Sequence, residues 1–197
     1  MDFRRLDRSA DRFLPFFLWA VRIAFGAAIV LSLLRLGSTE LFFASAGLIA
    51  TFYAHVLKRT PHVFIPATLQ ILLVLNILVA AALAGSVFHV YEAIFWWDDF
   101  THFWAGFLFF VAAYGNLLHL QRMGKVQGSN TFFRVVAASI SLSLEALWEI
   151  IELIAVFFTG FKLGAMQLND TPIDIVDNFF GMLAGVILVV LIERQNS

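Results

Sequence analysis

Six stretches of this chain are apolar for long enough to cross a membrane: residues 14–34, 41–57, 63–84, 100–120, 133–158 and 173–192. Each runs for about 17 to 26 residues, and about 20 apolar residues rising 1.5 Å apiece are needed to cross a bilayer's hydrocarbon. Backbone N–H and C=O groups find no water there, so spans of this kind must be helices. The expected fold is all-α, a polytopic membrane protein built as a bundle of six transmembrane helices. Composition agrees, with 61% hydrophobic residues against the ~45–50% usual for soluble domains. No internal repeat, linker or low-complexity stretch divides the chain, which reads as one transmembrane helical domain over residues 1–197.

The distribution of Lys and Arg sets an expected orientation, because loops on the cytoplasmic side hold the excess. Arg4, Arg5, Arg8, Arg12, Lys58, Arg59, Arg122, Lys125, Arg134 and Arg194 fall on one face, and only Arg35 and Lys162 on the other. Arg22 lies inside the first span. Ten against two places both termini in the cytoplasm of a bacterial cell whose inner membrane holds the protein. The basic stretch ahead of the first span looks like the start of a secretion signal, but the apolar run behind it is too long to be cleaved and reads as a retained anchor. Phe88, Tyr91, Phe95, Trp96 and Trp97 mark residues 86–97 as a segment at the outer headgroup level.

Several function classes drop out. With net charge −1 and no basic stripe beyond the first dozen residues, the electrostatic footprint of nucleic-acid binding is missing. The chain has no Cys, which removes disulfides, thiolate metal sites and Cys nucleophiles. Nothing indicates an organic cofactor.

The acids are unevenly placed. Asp98, Asp99, Glu145, Glu149, Glu152, Asp170, Asp174 and Asp177 account for eight of the 14 Asp and Glu, and the expected topology brings them together toward the outer half of the last three spans, with Glu145 deeper, near the midplane. Glu145, Glu149 and Glu152 recur at i, i+4 and i+7, so one helical face presents them together. A carboxylate at membrane depth costs at least a few kcal/mol, so it faces a bundle interior or a wet cavity and takes a partner. Near these acids on that side only His102 and Lys162 offer positive charge. The remaining negative charge calls for protons or a bound metal.

Structural readings stand beside this one. Thr171-Pro172-Ile173-Asp174 has the form of a helix start, with Thr at the N-cap, Pro first and an acid three after the cap. Asp98 or Asp99 would likewise suit a helix N-terminus. Glu149 and Glu152 could be protonated and hydrogen-bonded between helices. Gly181 and Gly185 form a small-xxx-small pattern that admits a neighbouring helix and would hold Asp174, Asp177 and Asn178 against it.

Asp98-Asp99-Phe100-Thr101-His102-Phe103 with Gly106, then Trp148-Glu149-Ile150-Ile151-Glu152, then Asp170-Thr171 with Asp174, resembles the YjdF-like family of bacterial inner-membrane proteins. Asp98, His102, Glu149, Glu152, Asp170 and Asp174 match that family's pattern position by position. Asp174, Asn178, Gly181 and Gly185 also resemble the last helix of the VanZ-like family, whose Asp-x-x-x-His element is met by Asp98 and His102. The sequence departs from the YjdF-like pattern at Leu153, where Trp is frequent, and in lacking Gln after Asp170-Thr171. The likeness covers about half the chain and implies a shared site without fixing its chemistry.

The site expected from these residues binds a divalent cation, Mg²⁺, Mn²⁺, Ca²⁺ or Zn²⁺, through Asp98, His102, Glu149, Glu152, Asp174 and Asp177, supported by Asp99, Glu145, Asp170 and Asn178. Three activities stay open: hydrolysis of a lipid ester or phosphoester by metal-activated water, proton- or ion-coupled transport over the same acids, and a non-catalytic membrane scaffold. The partners expected are the lipid bilayer and a lipid-like small-molecule substrate, with homo-oligomerisation open.

Overall fold

The computed structural model describes residues 3–35, 38–53, 56, 60, 63–159 and 171–195. Among these, the side chains of 3–8, 35, 38–39, 81–82, 85–86, 151–152 and 154–159 are not described. The described residues are helical with short connections. Helix α1 is Phe3–Arg35, α2 Ser38–Ala50, α3 Ala67–Leu73, which continues as a π-helical segment over Val74–Val87, α4 Val90–Ala93, α5 Trp97–Arg122, α6 Asn130–Thr159 and α7 Thr171–Gln195. Four of them are long and apolar enough to cross a membrane: α1 over Ser9–Leu34, α5, α6 over Asn130–Ile150 and α7. Glu40–Ala50 and Ala67–Ala80 are shorter apolar helices.

The chain forms two compact units, Met1–Trp97 and Asp98–Ser197. In the first, α1 begins at Phe3, well before the apolar run at residue 14, because the basic stretch is itself made of helix formers such as Arg, Leu and Ala. Pro15 lies inside α1 and removes one intrahelical hydrogen bond. Leu18, Val21, Phe25 and Ala28 form its buried stripe, packed on Ala44 of α2 and on Val74, Leu78, Leu83 and Val87 of the π-helical segment. A Cβ on Gly47 of α2 would run into the Phe25 ring, so the glycine makes room for that ring.

Helix α2 ends at Ala50, short of the apolar run's end at residue 57. A turn at Thr51 and Phe52 follows, and Tyr53 and Val56 are again helical; at that turn the Arg22 guanidinium of α1 donates from Nη2 to the Thr51 carbonyl at 3.1 Å and from Nε to the Thr51 hydroxyl at 3.1 Å. A cation on the last carbonyls is a common helix C-cap. The third apolar run starts its helix after Pro66, whose extended backbone (φ −52°, ψ 145°) forms the N-cap. The helix then widens to i→i+5 pairing from Val74, a geometry usually confined to single turns.

The second unit follows its sequence signals more closely. Asp98 and Asp99 occupy the first turn of α5, with His119 and Arg122 in its last, the charge order that the helix dipole favours. Gly124 at φ 69° closes α5, with Lys125 N–H donating to the Leu120 carbonyl at 2.9 Å and Gly124 N–H to Gln121 at 2.9 Å, the two hydrogen bonds of a Schellman cap. Ser129 Oγ accepts from Phe132 N–H at 3.2 Å at the start of α6. Phe110, Tyr114, Phe133, Ala137, Met182 and Val189 make the core shared by α5, α6 and α7. Opposite faces carry exposed apolar residues such as Leu147, Ile150, Phe180 and Leu191, as befits helices whose outer surface meets lipid.

Candidate functional site

The cluster lies wholly within the second unit. Along α6 the buried positions fall every fourth residue: Phe133, Ala137, Ser141, Glu145 and Glu149. One face thus changes from apolar to acidic, with Ser141 at the transition donating to the Gly106 carbonyl of α5 at 3.0 Å. Along α7 the buried face is Asp174, Asn178, Gly181, Met182, Gly185 and Val189. On α5 it includes Thr101, His102, Ala105 and Gly106.

Two glycines bring α5 and α7 together. A Cβ on Gly106 would strike the Asn178 carbonyl oxygen, and one on Gly181 would strike the Phe103 carbonyl oxygen. A Cβ on Gly185 would lie 2.8 Å from the Phe110 ring. The small-xxx-small pattern of α7 therefore meets α5, with main chain against main chain at Gly181. That approach sets Asp174 and Asn178 beside His102.

His102 is 7% exposed and divides the acids between its two nitrogens. Nδ1 contacts Glu145 Oε1 directly. Nε2 faces Asp98 Oδ1 at 3.4 Å and Asp174 Oδ1 at 3.9 Å. The second Glu145 oxygen accepts from Asn178 Nδ2 at 3.0 Å. Glu145, Asn178 and Asp174 are 2%, 0% and 4% exposed, so almost no water reaches the network from outside. The Asp98 carbonyl accepts the Thr101 hydroxyl at 2.9 Å within the first turn of α5.

Two sets of ligand atoms each lie within 4.8 Å of one another: Asp98, His102 and Asp174, and His102, Glu145 and Glu149. Small side-chain rotations would close either spread onto a cation with bonds of ~2.1 Å. Glu149 is 6% exposed, its side chain reaches Thr171 at the start of α7, and its Oε1 is buried without a hydrogen-bond partner. Asn178 Oδ1 and Asp177 Oδ2 are in the same condition. Buried oxygens left without donors are costly, and a bound cation would satisfy acceptors of this type.

Of the residues expected from sequence, Asp98, His102, Glu149 and Asp174 come together in these sets, and Glu145 and Asn178 join them through hydrogen bonds. Asp174 opens α7 as a helix start would require, yet its Oδ1 also faces His102. Asp99 and Asp177 are half-buried and belong to neither set. Glu152 is on α6 with its side chain outside the described residues, and Asp170, Lys162, Lys58 and Arg59 lie outside them altogether. Sequence reasoning ranked Glu145 as a support near the midplane; in the structure it is the acid in direct contact with the imidazole. The four-residue rhythm from Phe133 to Glu149 is the signal that places it, since it puts Glu145 on the buried face.

One protein family, described as "Predicted membrane protein (DUF2238)", matches the chain over residues 17–195. No curated protein and no solved structure is significantly similar to it.

Proposed function

The chain belongs to the family of predicted membrane proteins DUF2238, and we propose that the cluster around His102 is its working site, a divalent-cation centre within the membrane. The observation that carries this reading is the division of the imidazole. When Nδ1–H is donated to Glu145, Nε2 presents its lone pair toward Asp98 and Asp174. A metal-ligating His usually gives its other N–H to a carboxylate, which fixes the tautomer and raises ligand basicity. Glu145 would be that orienting carboxylate, itself held by Asn178. Asp98, His102 and Asp174 would be inner ligands, with Glu149 near enough to serve as a further ligand or as base. Glu152 and Asp177 stay in the proposed ligand set, and Asp99 and Asp170 among the supporting acids.

Carboxylate oxygens alone suit Mg²⁺ or Ca²⁺, and one imidazole shifts the balance to Mn²⁺ or Zn²⁺. A metal-activated water beside Glu149 could attack an ester or phosphoester of a lipid-like substrate. The wider reading is a six-span protein of the bacterial inner membrane with both termini cytoplasmic, YjdF-like with a VanZ-like last helix. In it, α2 and the helix from Ala67 supply the two shorter crossings.

A second reading has its own support. Asn178, Glu145, His102 and Asp98 form a chain from a fully buried amide to a carboxylate 24% exposed, the form of a proton path in a coupled transporter.

Elemental analysis of detergent-purified protein separates the two. One metal per chain, lost in Asp174→Asn and in His102→Gln, is expected for the cation centre. Folded protein without stoichiometric metal, even after incubation with Mn²⁺ or Zn²⁺, would overturn it and favour the proton path. Sidedness is checked with single cysteines in this Cys-free chain. Label added from outside should reach Lys162→Cys and miss Lys125→Cys, and the opposite pattern would reverse the topology.

A further inference from the structure

The three long helices of the second unit carry polar groups at both ends of their shared interior, and only one end belongs to the His102 cluster. At the other, the Tyr114 hydroxyl of α5 donates to Glu193 Oε1 of α7. The second Glu193 oxygen lies 3.9 Å from Arg134 Nη1 of α6. Arg134 is held in turn by its own helix, donating from Nε to the Asn130 carbonyl at 3.3 Å and from Nη2 to the Thr131 hydroxyl at 3.0 Å. Each helix thus gives one side chain to a tie of phenol, carboxylate and guanidinium. Tyr114 is buried, whereas Glu193 and Arg134 are partly exposed, so the phenol is the innermost of the three.

Between the two polar ends the interior is apolar. On α6 Arg134, Ala137, Ser141 and Glu145 share a face, and Arg134 to Ser141 covers ~10 Å along the helix. Phe110 and Ala137, both fully buried, fill that stretch with Met182 of α7. The Phe110 ring lies against Gly185, where a Cβ would come within 2.8 Å of it. It also stacks on the Tyr114 ring, with centroids 6.1 Å apart and planes 9° from parallel. The hydrogen bond to Glu193 therefore holds a ring that braces the apolar layer. Phe, Ala and Met side chains have no oxygen to coordinate an ion and no group to relay a proton, so a charge entering the layer loses its solvation without return.

We propose that Tyr114, Glu193 and Arg134 latch the unit shut at the Arg134 end, keeping Phe110 across its interior, so that the His102 cluster exchanges ions and substrate only through the Asp98 end. Exposure within the cluster falls in that sense, from 24% for the Asp98 side chain to 8% for His102 and 3% for Glu145. What is exchanged rests on the cation-centre reading, while the latch rests on packing alone. A centre served from one end suits hydrolysis of a substrate drawn from one side of the membrane rather than carriage across it.

The test places single cysteines in this Cys-free chain and treats sealed vesicles of either sidedness with a small cationic methanethiosulfonate. The side that labels the exposed position Lys125→Cys is the latch side. From that side Ala137→Cys and Met182→Cys should stay unlabelled in the otherwise native chain. Adding Tyr114→Phe, which keeps the ring and removes the hydroxyl, should speed their labelling about tenfold, the worth of one hydrogen bond to a charged acceptor. Glu193→Gln should act in the same direction, and Tyr114→Phe decides if that variant fails to fold. Labelling of both cysteines in the native chain as fast as Lys125→Cys overturns the seal, and protection unchanged by Tyr114→Phe overturns the latch. Mn²⁺, followed by its paramagnetic resonance, should load the native chain from the opposite side only; loading from the latch side overturns one-ended exchange. Protected cysteines with no Mn²⁺ bound from either side would support the latch and overturn the cation centre.

Discussion

The two units meet the same difficulty, polar groups at membrane depth, with opposite charges and different means. In residues 1–97 the guanidinium of Arg22, inside the first span, gives two donors to the hydroxyl and main-chain carbonyl of Thr51 at the turn after α2. Residues 98–197 gather Asp98, Glu145, Glu149 and Asp174 around a single imidazole. The first arrangement seats a charge at a turn after a short helix, whereas the second brings together the acids of three long helices. Intact helices with converging acids make a centre that can hold an ion. A short helix with a cation at its end makes a cap.

Glycines mark the same contrast and give the largest expected effect. In the second unit Gly181 faces a main-chain carbonyl, which cannot move aside, while in the first Gly47 faces the edge of a side-chain ring. Gly181→Ala should therefore destabilise the protein by about 3 kcal/mol, at the upper end for overpacking, and Gly47→Ala by about 1–2 kcal/mol. Gly26 has nothing within 4 Å of an added Cβ, and Gly26→Ala should stabilise α1 by about 0.5 kcal/mol. Thermal unfolding in detergent gives the order directly. Equal losses at Gly181 and Gly26 would remove the close crossing of α5 and α7.

The acids of the two units should differ next. Glu145→Gln keeps the shape of the side chain but removes the carboxylate that orients His102, and should weaken Mn²⁺ or Zn²⁺ binding about 10–100-fold. Glu40→Gln, beside His89 in the first unit, should leave metal binding unchanged. Titration followed by isothermal calorimetry measures both, and equal responses would detach the cation centre from the second unit.

Smallest are the single hydroxyls. Thr51→Val removes the acceptor of Arg22 Nε, and Ser141→Ala removes the donor to the Gly106 carbonyl. Hydrogen bonds within membrane proteins average about 0.6 kcal/mol. Ser141→Ala should cost about that much, and Thr51→Val about 1 kcal/mol, because it leaves a charged donor unmet. A reversal of this order in thermal unfolding would show that Arg22 does not depend on the Thr51 hydroxyl.

The amino-acid sequence by itself determined the membrane class, the helices and the faces that carry chemistry. These depend on local quantities: the length of an apolar run, the four-residue spacing of Glu145 and Glu149, and the Gly181–Gly185 pair on a helix that begins with Asp174. Tertiary structure decided what no local period encodes. At the turn that follows α2, Thr51 takes hydrogen bonds from an arginine 29 positions away. Glu145 joins the cluster because His102, 43 positions away, and Asn178, 33 positions away, close on it. A helical repeat fixes which residues share a face, but which faces meet, and at what depth, depends on close packing at glycines such as Gly106 and Gly181, and that exists only once the helices are assembled.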